Sequence, residues 1–215
     1  MKWVSVIATL LATPLGAHPH IFVDAGLELI VDEQGRLAQV RVTWAYDALY
    51  SLLITEDYGL DADGDAVLSS AEEAQLAGFD MQWVPGFNGD LVGSLGDKPL
   101  VLGGPKDVTA VMREGRIVTT HLRDVAGLPA VAGEIITFAP FDPSYYTAYD
   151  VTQRVSVTGM DGCMIAKDSP DLDVEMEKLQ AELATLGQDQ DAVEMGFPEV
   201  GAAFATKVRI SCAGF

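Results

Sequence analysis

Basic side chains are scarce in this 215-residue chain, which has 13 lysines and arginines against 32 aspartates and glutamates. The formal net charge is therefore −19 at pH 7. A surface with this excess of carboxylates repels phosphate backbones, so we expect no nucleic-acid partner. The same charge attracts cations, although acidity can also serve simply to keep an exported protein soluble.

Long apolar runs are also missing. No segment after the first residues has the roughly 18 consecutive apolar residues of a membrane-spanning helix. The start of the chain is typical of a secretory signal, with Lys2 before a short apolar stretch, Trp3–Ala12, and a small residue at Ala17. We therefore expect residues 1–17 to be a signal peptide cleaved after Ala17, and the mature protein to be periplasmic. An uncleaved membrane anchor is the alternative.

Cysteine is limited to Cys163 and Cys212, and the sequence has no CxxC motif. In an oxidising compartment this pair favours a disulfide over a metal site, with two free buried thiols as the alternative. Such a bridge closes a loop of about fifty residues, for which the entropic model gives about 4 kcal/mol of stabilisation. No nucleophile elbow is present, so the sequence gives no sign of a serine or cysteine hydrolase.

Alternating apolar residues over 20–31 and 37–46, joined by the turn Asp32–Gly35, predict a β-hairpin. The remaining pattern predicts helices over 47–58, 70–79 and 171–186, a hairpin around Glu114-Gly115, and strands over 133–141, 147–159 and 206–212. This order predicts an α+β fold with a largely antiparallel sheet, a helix–acidic loop–helix insert and a C-terminal helix. We expect one domain, residues 18–215, with the EF-hand-like insert at about 47–79.

The segment from Asp61 to Glu72 has the sequence DADGDAVLSSAE and the spacing of the twelve-residue EF-hand calcium loop. Oxygen ligands are expected at the first, third, fifth, seventh, ninth and twelfth places, which are Asp61, Asp63, Asp65, the carbonyl of Val67, Ser69 and Glu72. Calcium prefers six to eight such oxygens, so the sequence predicts a structural Ca²⁺ site.

One place departs from this loop pattern. The sixth residue is Ala66, where glycine normally supplies a positive φ, and alanine there costs on the order of 1 kcal/mol. Only one such loop is present, because the acidic segment 189–194 is too short to be its partner. The alternative interpretation is a solvated acidic turn between two helices.

Only three histidines occur, and two of them, His18 and His20, flank Pro19 at the expected cleavage point. Cleavage would make His18 the first residue, so that its α-amine and ring Nδ1 could chelate one ion. In an extended strand His18 and His20 point to the same side. Pro19 has no amide N–H, which blocks the square-planar mode of amino-terminal metal binding.

The third histidine, His121, lies on a predicted strand. Three imidazoles would suit zinc, and also copper, nickel or cobalt. Asp24 shares one strand face with His20 and is a candidate fourth ligand or hydrogen-bond acceptor for a ring N–H. The sequence therefore predicts a transition-metal site at His18, His20, His121 and Asp24. A structural role for an isolated strand histidine is the alternative.

Four segments occur in an order that resembles a known family. They are AHPHIFVDA after the signal, VTWAYDALYS at 42–51, the acidic DADGDAVLSSAEE, and FDPSYYTAYD at 141–150. The family consists of uncharacterised exported bacterial proteins described as the periplasmic component of an ABC-type transport system. The resemblance implies an association with nickel/cobalt or zinc permeases. It marks His18 and His20 as functional positions, and it marks Trp44, Asp47, Asp142, Tyr145 and Tyr146 as family residues without roles.

We therefore expect a periplasmic, non-enzymatic protein that binds a divalent transition metal, zinc first, for an inner-membrane metal transporter or ABC permease. Two other classes remain open. One is an interaction module beside a permease with no transition metal. The other is a copper site that activates oxygen through an amino-terminal histidine chelate.

Overall fold

The computed structural model describes residues 19–185 and 200–213. The expected signal segment 1–17 and His18 lie outside the described residues. The described chain forms a six-stranded and a five-stranded sheet with three α-helices, which confirms an α+β fold with mainly antiparallel pairing. Within the described ranges, no helix has the length and apolar character needed to cross a bilayer.

The six-stranded sheet has the order β5-β6-β2-β1-β8, with β9 also paired to β1. Its strands are β1 Ile21–Val31, β2 Leu37–Tyr46, β5 Lys106–Arg113, β6 Arg116–Asp124, β8 Thr147–Asp150 and β9 Val155–Thr158. The five-stranded sheet has the order β10-β11-β7-β3-β4. Its strands are β3 Leu91–Leu95, β4 Lys98–Pro99, β7 Ile135–Pro140, β10 Cys163–Asp168 and β11 Lys207–Cys212. The buried apolar cluster contains residues of both sheets, so the sheets share one core.

The first hairpin forms where alternation predicts it. Val23, Ala25, Leu27 and Leu29 of β1 are each at most 2% exposed, so the odd-numbered residues of this strand face the core. The even-numbered residues, including Asp24, lie on the opposite, outer face. This division decides which predicted site residues can meet.

The helices are α1 Ala48–Asp57, α2 Ser70–Leu76 and α3 Leu172–Leu183, and a 3₁₀ helix spans Val200–Phe204. Asp47 caps α1 by accepting the N–H of Tyr50 at 2.9 Å. In α2, Ser69 and Glu72 form a reciprocal capping box. Both helices of the predicted insert are therefore capped at their first turn by side chains, α1 by Asp47 and α2 by Ser69 together with Glu72.

The single strand predicted over 147–159 is wrong, because this segment forms two strands, β8 and β9, separated by residues 151–154. Both pair in parallel with β1, and the connection between them runs against β1 at Gly26. A Cβ on Gly26 would lie 2.8 Å from the Cβ of Gln153, so only glycine admits this close approach. The two parallel pairings interrupt the otherwise antiparallel sheet.

The predicted disulfide is confirmed. Cys163 and Cys212 lie directly opposite each other on β10 and β11 and are bonded across 49 residues of sequence. Strand β10 is exposed at almost every residue, so it lacks the alternation by which strands are predicted. The bridge therefore fastens an edge strand of the second sheet that has little apolar burial of its own.

Candidate functional site

Three carboxylates of the acidic loop converge. One oxygen each of Asp61, Asp63 and Asp65 lies within 4.8 Å of the others, and in the described part of the chain these are the side chains that meet in a group fit for a metal ion. Asp61 Oδ2 accepts the N–H of Ala66 at 3.1 Å, whereas Asp61 Oδ1 is buried and has no hydrogen-bond partner. Carboxylates this close repel one another unless a cation lies among them.

The loop backbone adopts the turn that a calcium loop requires at its sixth place. Ala66 has a φ of 60°, in the left-handed region, as expected for the residue that normally is glycine. The side chain at the eighth place, Leu68, is buried in the core. The chain thus keeps the loop geometry despite a cost on the order of 1 kcal/mol at Ala66.

Glu72, at the twelfth place, is turned into the loop but is engaged by the protein. Its Oε2 accepts hydrogen bonds from the N–H and hydroxyl of Ser69 at 2.8 and 2.7 Å, and its Oε1 accepts the N–H of Asp61 at 3.1 Å. These bonds, first the one from the Ser69 backbone, lower the pKa of Glu72, so the carboxylate stays ionised. Ligation by Glu72 requires its carboxylate to rotate from these partners toward the three aspartates.

His20 lies just before β1 and is exposed. Its N–H donates to the carbonyl of Tyr146 at 2.8 Å, and the centres of the two rings are 4.8 Å apart. Since His20 precedes Phe22 by two residues, their side chains point to the same side of the extended chain. His20 therefore stands at the start of the outer face of β1, and its predicted partner His18 lies outside the described residues.

His121 does not join His20 and Asp24, which corrects the predicted four-residue site. His121 pairs with Val42, and Val42 pairs with Leu27, which places His121 on the core face and opposite a point seven residues beyond His20. At about 3.3 Å per residue this separation is about 23 Å along the strand. The sequence could not reveal this separation, because it depends on the register of three strands.

The ring of His121 is completely buried between Trp44 and Trp83, with ring centres 6.3 and 5.8 Å away. Neither ring nitrogen has a hydrogen-bond partner. Burial, and secondarily the charge of Arg123, lowers the pKa of His121 to about 4. The imidazole is therefore neutral at pH 7, and its surroundings are those of a core residue.

Asp24 forms an ion pair with Arg116, whereas the sequence predicted that it would bind a metal ion. Its Oδ2 accepts a hydrogen bond from Arg116 Nη1 at 2.6 Å, and its Oδ1 accepts one from the Thr152 hydroxyl at 2.6 Å. Partial burial raises the pKa of Asp24, but the bonds from Thr152 and Arg116 outweigh it and leave the pKa below its usual value. Asp24 thus serves to hold Arg116 at the outer face of the sheet.

A cleft of about 620 Å³ opens beside Asp24, between the outer face of the six-stranded sheet and the first turns of α1 and α3. Its lining combines aromatic and charged side chains, among them Phe22, Asp24, Asp47, Arg116, Tyr145, Asp150 and Phe204. A volume of this size is typical of small-molecule sites. The sequence did not predict this cleft, because its walls come from segments up to 184 residues apart, from Phe22 to Thr206.

The structure gives roles to the motif residues that had none. The Asp142 carboxylate accepts hydrogen bonds from the N–H groups of Ser144 and Thr147, at 2.8 and 3.0 Å, and so shapes the turn. Tyr145 in this turn has a φ of 58° and stacks on Phe204, with ring centres 4.0 Å apart. Asp47 links α1 to β1, because its Oδ2 accepts the N–H of Phe22 at 2.9 Å.

Two further carboxylates, missed by the sequence analysis, lie in the interior. Asp80 accepts hydrogen bonds from the Tyr46 and Thr119 hydroxyls, and Asp90 accepts one from the Tyr149 hydroxyl, each at 2.8 Å. The second oxygen of each carboxylate is buried without a partner. Burial raises the pKa of Asp80 and raises that of Asp90 to about 6.

The fold and these sites together define a two-sheet α+β protein with a twelve-residue acidic loop and an aromatic-walled cleft at the start of its first strand. Over residues 3–212 the chain matches a family described as "Protein of unknown function (DUF1007)", and it belongs to that family. No curated protein matches the chain.

Proposed function

We propose that this chain is an exported, periplasmic protein without enzymatic activity that binds divalent cations, with Ca²⁺ held in the loop Asp61–Glu72. The observation that carries the proposal is the convergence of the Asp61, Asp63 and Asp65 oxygens within 4.8 Å. The buried, unpartnered Asp61 Oδ1 and the left-handed backbone at Ala66 support it, because both suit a cation at the centre of the loop. The calcium role is structural, since it joins α1 to α2.

Calcium is expected to raise the melting temperature of the protein, and EDTA is expected to lower it again. Binding to the folded state alone stabilises by about 2.7 kcal/mol at a hundredfold excess over Kd, which corresponds to roughly 5–10 °C for a chain of this size. The measurement is differential scanning fluorimetry across a calcium titration.

The double variant D63N/D65N should lose the calcium response. The matched control is D97N, which removes an exposed acid from the β3–β4 turn, remote in sequence from the loop. A calcium shift of equal size in parent and D63N/D65N proteins would contradict a site at this loop.

A second cation site, for a divalent transition metal, is proposed at the mature N-terminus. His20 favours it, because its imidazole is exposed on the outer side of β1 and stands beside Tyr146. His18, two residues earlier, would add its ring and its α-amine after cleavage. Zinc is the first candidate, and nickel, cobalt or copper are further ones. His121 and Asp24 have no part in this revised site.

Delivery of that metal to an inner-membrane transporter or ABC permease completes the proposal. It rests on the resemblance of the histidine and Asp-Pro-Ser-Tyr-Tyr segments to exported proteins associated with metal permeases. An exposed ligand set at a chain terminus suits transfer, because a partner can reach it without opening the core. A metal held in the interior would instead require local unfolding before release.

Zinc affinity of the protein with its native N-terminus at His18 is expected to fall about tenfold or more in H20A. One extra glycine before His18 should also weaken binding, because it removes the α-amine from the chelate ring. Competition titration with a chromophoric chelator measures both effects. Replacement of His121 by glutamine should leave zinc affinity unchanged, so a loss in H121Q with no loss in H20A would contradict the revised site.

An interaction module without a transition metal is the second candidate function. The exposed apolar side chains of α1 favour it, since Leu49, Leu52 and Leu53 are 67%, 51% and 49% exposed on a helix beside the cleft. Metal analysis of the protein with its native N-terminus distinguishes the metal carrier from the interaction module. A stoichiometric transition metal supports the carrier, and its absence at saturating zinc supports the module.

A further inference from the structure

We propose that the cleft beside Asp24 binds a small organic cation, an ammonium group carried on an apolar body. This proposal is independent of both metal sites, because neither His20 nor the acidic loop lines the cleft. It rests on three features of the cleft, which are its aromatic walls, its charge and its size.

The aromatic walls are built at a structural cost. Phe22 is 54% exposed, which is unusual for a phenylalanine, and it presents its ring to the cleft. Tyr145 on another wall is held at a φ of 58° so that it stacks on Phe204 with the two ring planes 16° apart. Strained backbone of this kind clusters at functional sites. Aromatic faces attract cations and cover apolar groups.

The charge of the cleft is negative. Three carboxylates, those of Asp24, Asp47 and Asp150, line it with one guanidinium, that of Arg116. Asp24 and Asp150 lie directly opposite each other on β1 and β8. Like charges at opposed positions destabilise a sheet, and Arg116 offsets the charge of Asp24, so a positive group near Asp150 is favoured.

Arg116, the cation among the described residues that line the cleft, is already committed to partners in the chain. Arg116 donates from Nη1 to Asp24, from Nε to the carbonyl of Tyr46 at 2.6 Å, and from Nη2 to the carbonyl of Ala45 at 2.7 Å. The N-terminus of α1 is capped by Asp47 and that of α3 by Asp171, so the carboxylates of the chain itself occupy both helix ends. An anionic ligand would meet the net charge of −19, and the Arg116 guanidinium that could offset this charge is engaged by the chain itself.

The size of about 620 Å³ admits a ligand of one ring and a short chain. A matched series of probes therefore tests the charge preference at nearly constant shape. The probes are phenethylammonium, the neutral 2-phenylethanol and the anion phenylacetate. They are titrated by isothermal calorimetry into protein that has been expressed as the full chain, loaded with calcium and freed of transition metals. Under these conditions a failure of the probes to bind the cleft is distinct from a failure of the metal sites.

Phenethylammonium is expected to bind at least tenfold more tightly than 2-phenylethanol, and phenylacetate is expected not to bind. F22A and D150N should each weaken phenethylammonium about three- to tenfold, and both changes are at surface positions that leave the core intact. D97N is the charge-matched control and should have no effect. Equal binding of phenylacetate, an unchanged affinity in both F22A and D150N, or no binding of phenethylammonium would each overturn the proposal.

Discussion

Replacement of Gly201 by alanine is expected to lower the melting temperature by roughly 2–12 °C. A Cβ at this position would lie 1.8 Å from the carbonyl oxygen of Asp142 and 2.8 Å from its carbon. Both are backbone atoms of the turn that holds Tyr145, so no side-chain rotation can relieve the contact. Forced displacements of this kind typically cost about 1–3 kcal/mol, and 1 kcal/mol moves the melting temperature by roughly 2–4 °C at this size.

The loss of stability in G201A should be centred on the cleft. Gly201 also donates its N–H to the carbonyl of Pro143 at 3.0 Å, so the 3₁₀ helix and the Asp142 turn would separate together. Near-ultraviolet circular dichroism should therefore change with the Tyr145–Phe204 stack, alongside the thermal melt. The control is G104A, where a Cβ meets no atom within 4 Å. Equal melting temperatures for G201A and G104A would show that the close approach at Asp142 is absent in solution.

Replacement of Asp90 by asparagine is expected to stabilise the protein at pH 8 by up to about 3 kcal/mol, with a gain that vanishes near pH 4. The Asp90 carboxyl is buried, and its pKa is raised to about 6 from an ordinary value of 3.8. Asparagine keeps an oxygen that can accept the Tyr149 hydroxyl, and it carries no charge at any pH. The variant thus removes the cost of burying the ionised group.

The direction in which pH changes the stability follows from the protons that the folded and unfolded chains bind. Between pH 3.8 and 6 the folded protein holds the Asp90 proton more tightly than the unfolded chain does, so this group makes stability fall as pH rises. His121 acts in the opposite sense, because its pKa is lowered from 6.5 to about 4 and the unfolded chain binds its proton more tightly. Stability due to His121 therefore falls as pH drops through the same interval. The two effects largely offset each other in the parent protein.

The D90N variant should consequently lose stability steeply as pH falls from 6.5 to 4, whereas the parent should show a flatter profile from these two groups. Urea unfolding at several pH values measures both curves. D97N removes an exposed carboxylate and should leave the profile parallel to that of the parent. A D90N protein less stable than the parent at pH 8 would mean that the Asp90 carboxylate is stabilised in the fold by a group other than Tyr149.

Local patterns in the sequence were sufficient to predict much of the fold. Alternation located the β1–β2 hairpin, Asp47 marked the start of α1, and the two cysteines indicated the bridge between β10 and β11. The acidic loop was found in the same way, because all its oxygen donors lie within twelve residues. The bridge follows from the presence of only two cysteines, whereas each of the other features depends on residues that are close together in the sequence.

Features that join distant segments could not be found in this way. His121 was grouped with His20 by residue type, but strand register places it on the opposite face of the sheet. The sequence could not predict the cleft, because Phe22, Arg116 and Phe204 come from three remote parts of the chain. Asp142 and Tyr145 were marked only by resemblance, and their function in shaping a turn and stacking on Phe204 required the folded structure.

The parallel pairing of β1 with β8 and β9 has a consequence for biosynthesis. Among the described residues, one edge of β1 pairs with β2 and the other edge pairs with residues 147–158, which come more than a hundred residues later in the chain. Until residues 147–158 have been made, that edge offers free amide and carbonyl groups to any other nascent strand. Orderly maturation of this protein therefore depends on shielding its earliest strand from premature association until its late partners arrive.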